Sequence, residues 1–139
     1  MKLAYTISTA NYLAFAKSVA DSVIEHNPGY TCVIVLLDRI SSRFDPEFFR
    51  PHQLIEVEQM GIAEFAEMNE KYTVFELSNA LKPYVAAHLM QEYPEATVVL
   101  QLDSDMLVFN RFDYIENILQ EQSIAITPHI LTPVPEDGF

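Results

Sequence analysis

Along the chain the first apolar stretch, residues 3–8, is short and gives way to Thr9-Ala10-Asn11, whose small polar side chains suit a turn and a helix start. From Tyr12 onward, Leu13, Ala16, Val19, Ala20, Val23 and Ile24 recur at the spacing of one helical face, and His26-Asn27-Pro28-Gly29 stops the pattern. Residues 31–37 are continuously apolar and rich in β-branched side chains, as expected of a strand covered on both faces, with Asp38 at its carboxyl end. Strand, helix and strand predict a βαβ unit, in which the helix is the crossover that parallel pairing requires.

Residues 39–50, with Pro46, predict a connection containing one helical turn at 45–49, and residues 54–57 a third strand. Ile62, Phe65, Ala66 and Met68 mark a short amphipathic helix. Residues 75–93 predict a longer one, with Leu77, Leu81, Val85, Leu89 and Met90 on its apolar face. Pro83 falls inside that pattern, so the helix proper is expected to begin near Ser78, with a local kink. Residues 97–102 read as a buried strand ending at Asp103-Ser104-Asp105, and residues 106–109 as a further extended piece. A helix over 114–120 and a last strand over 124–126 follow, and residues 128–139 carry three prolines and no periodicity. The alternation predicts an α/β fold, a Rossmann-like and mostly parallel sheet flanked by helices, as a single domain over residues 1–139. Ligands in such sheets sit beyond the carboxyl ends of the strands, where Thr9, Asp38 and Asp103 stand.

Composition narrows the function classes. The 139 residues are 50% hydrophobic, which excludes intrinsic disorder, and three glycines exclude a collagen-like chain. Eight basic against 20 acidic side chains leave a formal charge of −12, which argues against nucleic acid as a partner. A phosphorylated ligand must then be met locally, by helix N-termini, a single cation or a metal. The one cysteine, Cys32, lies in an apolar run and reads as a buried small hydrophobe. No apolar run approaches the roughly 20 residues of a membrane span. Thr6, Ser8, Thr9 and Asn11 break any signal-peptide core, so a cytoplasmic location is expected.

Asp103 and Asp105 follow the apolar run 98–102 two residues apart. Extended geometry would put both on one side of the chain, where two like charges raise each other's pKa unless a cation intervenes. A hard divalent ion, Mn²⁺ or Mg²⁺, answers that need and leaves positions open for phosphate oxygens. The plain alternative is a solvated, Asp-rich turn. Met60, Met68, Met90 and Met106 read as core fillers, and His26, His52 and His88 carry no assigned chemistry.

Three stretches resemble a known family: Thr73-Val74-Phe75-Glu76-Leu77-Ser78-Asn79-Ala80-Leu81-Lys82-Pro83-Tyr84, the run from Val99 through Asp103-Ser104-Asp105 to Phe109, and Tyr5-Thr6-Ile7-Ser8-Thr9-Ala10-Asn11-Tyr12. Together with Thr127-Pro128-His129 they are similar to the first half of a GT-A-fold glycosyltransferase, nearest to family 8-like transferases of nucleotide-diphosphate sugars. The resemblance implies that Asp103 and Asp105 hold a metal bridging the two donor phosphates. It also implies that Ser104 and the turn of Thr9, Asn11 and Tyr12 border ribose and base, and that Lys82 faces the donor. The plainer alternative for Lys82 is a solvated helix residue whose stem lies on the apolar face. In the family, further chain supplies the acceptor pocket and a third metal ligand, usually histidine, so the resemblance implies a donor-binding half; His129 is the nearest candidate in sequence order.

The leading expectation is therefore a metal-dependent transferase moving a sugar from a nucleotide-diphosphate sugar, a UDP-sugar in first place, to a saccharide or lipid-linked acceptor. The alternative is a module that binds the donor but transfers nothing. An aspartate-nucleophile phosphohydrolase fits poorly, because Met106-Leu107 follow the second acid where small residues are needed. A sheet face left bare by a missing half would favour a homodimer.

Overall fold

The computed structural model describes residues 1–40, 45–128 and 130–132. Strand β1, Lys2–Ser8, leads through a single 3-10 turn at Ala10–Tyr12 into helix α1, Leu13–His26, and then strand β2, Tyr30–Leu36. After a 3-10 turn at Pro46–Phe49 come strand β3, Gln53–Glu56, and a further 3-10 turn at Val57–Met60. Helices α2, Phe65–Lys71, and α3, Val74–Glu92, precede strand β4, Val98–Gln101, and helix α4, Asp113–Glu121. Among the described residues the four strands make one sheet in the order β3-β2-β1-β4, and every pair is parallel.

Alternation along β1 sorts its side chains between two cores. Leu3, Tyr5 and Ile7 join Val33 and Val35 against Leu77, Leu81, Val85 and Leu89 of α3. Ala4 joins Cys32, Ile34 and Leu36 against Leu13, Ala16, Ala20 and Val23 of α1. Helices thus cover both faces of the sheet, a Rossmann-like three-layer arrangement. Each Leu or Val sealed there contributes roughly 1.5–3 kcal/mol of transfer free energy. Among the described residues no helix is long and apolar enough to cross a membrane.

Several elements depart from the pattern-based expectation. Helix α3 begins at Val74, not near Ser78, because Thr73 caps it. The Thr73 hydroxyl accepts from the Glu76 amide at 3.3 Å while Glu76 accepts from the Thr73 amide at 2.9 Å. Pro83 consequently lies in the interior of α3, where a proline removes one helical hydrogen bond. Residues 106–109 are not a strand; Val108 turns inward and its amide donates to Ser22 Oγ at 3.0 Å. Residues 124–126 are irregular and exposed, since a β-branched run becomes a strand only beside a partner. Met60 and Met68 are core residues as expected, but Met90 and Met106 lie on the surface. The expectations for His129 and for residues 133–139, and part of the connection at 41–44, fall outside the described residues.

Candidate functional site

The carboxyl edge of the sheet gathers the candidate residues. β1 lies between β2 and β4, so the chain segments leaving all three strands emerge side by side. Beyond β1, the Tyr12 amide donates to the Thr9 carbonyl at 3.0 Å, closing the turn that the short polar residues predict. Within it the Thr9 hydroxyl donates to Asn11 Oδ1 at 2.5 Å. Asp38, just past β2, accepts from the Ala10 amide at 2.5 Å and ties the turn to the neighbouring strand. Tyr12 is exposed, its ring 5.5 Å from that of Phe15.

Beyond β4 the Leu102 amide donates to the Tyr5 carbonyl at 3.0 Å, which prolongs the pairing with β1 by one residue. The chain then turns. The Met106 amide donates to the Asp103 carbonyl at 3.3 Å, so Asp103 and Asp105 are the first and third residues of a turn and not two positions of an extended strand. Asp and Ser favour this conformation through their short polar side chains. Asp103 and Asp105 are exposed and Ser104 is half-buried.

Lys82, one of the eight basic residues, is aimed at this turn. Its Nζ lies 2.7 Å from Asp103 Oδ1, and Gln101 Nε2 donates to the same oxygen at 3.0 Å. The lysine is placed from below by a buried phenol, as Tyr5 Oη donates to the Lys82 carbonyl at 2.7 Å. Burial pushes the Tyr5 phenol up to about 12, so it stays a donor throughout the neutral range. The sheet edge therefore presents two acids, a lysine seated on one of them, a polar turn and an exposed tyrosine.

Carboxylate oxygens are the ligands that hard divalent ions take, and the Lys82 ammonium on Asp103 stands where a positive charge is favourable. Among the described residues no group of three or more His, Cys, Asp and Glu converges as a complete metal cage. Asp103 and Asp105 would supply two ligands, with other positions left to substrate and water.

Two further constellations carry no signal in the sequence. His52, buried just before β3, places Nε2 2.7 Å from Asp21 Oδ1, and Lys17 reaches the same carboxylate at 2.7 Å. At the opposite, amino end of the sheet a cavity of about 140 Å³ lies between Lys2, Asn27, Tyr30, Arg111 and Glu116. Glu116 accepts from Lys2 Nζ at 2.6 Å and from the Tyr30 phenol at 2.9 Å, which fastens α4 beneath the sheet. Compared with family models, curated proteins and solved structures, the chain matches none.

Proposed function

We propose that the chain is the donor-binding domain of a metal-dependent glycosyltransferase of the GT-A type, taking a nucleotide-diphosphate sugar and passing its hexose to a saccharide or lipid-linked acceptor. The observation that carries this reading is the Lys82–Asp103 pair at the carboxyl end of β4, at 2.7 Å, in a chain of net charge −12. A basic residue held beside the acids of a strand-end turn supplies local positive charge where an α/β sheet receives its ligand.

In this reading Asp103 and Asp105 would hold Mn²⁺ or Mg²⁺. When bound, the ion neutralises charge that builds on the departing nucleoside diphosphate. Lys82 adds a second positive charge on the phosphates, Ser104 and the Thr9 and Asn11 turn border the ribose, and Tyr12 offers the base an aromatic face.

Calorimetric titration of UDP in the presence of Mn²⁺ tests the proposal. Heat that requires the metal, and that Asp105→Ala weakens by about tenfold or more, is expected from an electrostatic clamp of this kind. No heat with metal present, or equal heat from the variant, overturns it. Donor binding without transfer or donor hydrolysis would select the alternative, a nucleotide-sugar-binding module that is catalytically incomplete.

A further inference from the structure

We propose that Lys82 is the resident cation of this site, seated on Asp103 while no metal is bound and exchanged for the divalent ion when a diphosphate arrives. The inference rests on the donor-site reading above and adds a regulation to it. Asp103 Oδ1 accepts from Lys82 Nζ at 2.7 Å and from Gln101 Nε2 at 3.0 Å. A divalent ion on that oxygen would stand within a few ångströms of the ammonium, and like charges so close repel. Metal ligation and the ion pair therefore oppose one another.

The pair is built to yield. The Asp103 side chain is 55% exposed, and pairs this open contribute little, so a divalent ion displaces the ammonium at small cost. The four-carbon stem of lysine swings while its backbone stays fixed, because Tyr5 holds the Lys82 carbonyl. A freed ammonium beside a bare metal is uncompensated. With a diphosphate present it gains two negative groups within reach. Metal and diphosphate then strengthen each other's binding, and linkage makes the coupling reciprocal. The consequence is a site that takes the metal–nucleotide complex more readily than free metal.

Electron paramagnetic resonance of free Mn²⁺ reads the exchange without any turnover. Titrations of the full chain with and without UDP compare the wild type with Lys82→Gln and Lys82→Arg, each checked for its thermal midpoint. Removing the competing charge in Lys82→Gln is expected to tighten nucleotide-free Mn²⁺ binding by roughly two- to fivefold, the worth of a pair this exposed, and to shrink the enhancement by UDP. Lys82→Arg keeps the charge and stays weak, and adding Asp103→Asn to Lys82→Gln removes the gain. Mn²⁺ affinity that is equal or lower in Lys82→Gln, or that rises equally in Lys82→Arg, overturns the exchange while leaving the donor reading intact if the wild type binds Mn²⁺ with UDP. Absence of Mn²⁺ binding in every protein, with UDP present, overturns both.

Discussion

The phenol of Tyr5 donates to the backbone carbonyl of Lys82 at 2.7 Å, a contact between the central strand and a helix 77 residues further along the chain. The carbonyl of the same Tyr5 accepts from the Leu102 amide at 3.0 Å, next to Asp103. One buried residue thus fixes the origin of both partners of the Lys82–Asp103 pair, from opposite sides. Position in such a site is worth as much as charge, since a displaced cation loses the geometry that favours its ligand.

Tyr5→Phe isolates this positioning. Phenylalanine fills the same space among Leu81 and Val85 and deletes only the hydroxyl. Stability is expected to fall by about 1 kcal/mol, the usual net worth of one hydrogen bond, as read from urea unfolding. Affinity for UDP with Mn²⁺ is expected to fall by roughly two- to tenfold, since that bond is worth at most about one decade of binding. Weakened folding with unchanged affinity would show that Lys82 finds its place without the phenol.

The cap of α3 is a second point of control. Thr73→Ala removes the acceptor for the Glu76 amide and leaves the Glu76 carboxylate without the hydroxyl that also donates to it at 2.8 Å. A cost of about 1 kcal/mol is expected in urea unfolding, as for other threonine caps. Because Lys82 sits two turns further in and is tied to Tyr5, the donor site should keep its affinity. Loss of binding in this variant would mean that the start of α3, and not Tyr5, sets the lysine.

These two residues also mark the limits of sequence reading. The βαβ opening was legible within a residue at each boundary, because continuous β-branched runs and a clean helical stripe leave little choice. The cap formed by Thr73 and Glu76 starts α3 at Val74, whereas Pro83 drew the expected helix start forward to Ser78. The exposed ring of Pro83 is tolerated in mid-helix because the buried face of Leu77, Leu81, Val85 and Leu89 holds the helix on the sheet. Asp103 and Lys82 were each legible as candidates, but their contact depends on α3 packing against β1 beside β4, which no local pattern encodes. His52 was unreadable for the same reason, its partner Asp21 being 31 residues away on another element.

Cys32 predicts a thiol closed to reagents. It is 3% exposed, and burial, followed by the nearby negative charge of Asp21, pushes its pKa from 9.0 up to about 12. The native protein is expected not to react with a disulfide reagent at pH 8, and to react fully in denaturant. The sign of the linkage follows. The native thiol holds its proton more tightly, so its contribution to stability is complete below pH 9 and is lost as pH climbs toward 12. Cys32→Ala should flatten that alkaline decline in unfolding midpoints measured between pH 8 and pH 11. Rapid labelling of the folded protein would contradict the burial.

Acid is expected to loosen α4 through Glu116. The Lys2 hydrogen bond holds this carboxyl below its ordinary 4.5, against partial burial and with help from the Tyr30 phenol. An acid depressed in this way stabilises the fold above pH 4.5 and loses that contribution as pH falls through its lower native value. Glu116→Gln has no charge to lose, so it should be less stable than the wild type at pH 7 and converge on it as the pH falls below 4.5 and through the lower native value, in urea midpoints taken from pH 7 downward. A wild-type advantage that stays constant from pH 7 to pH 3 would mean that Glu116 fastens α4 by shape and not by charge.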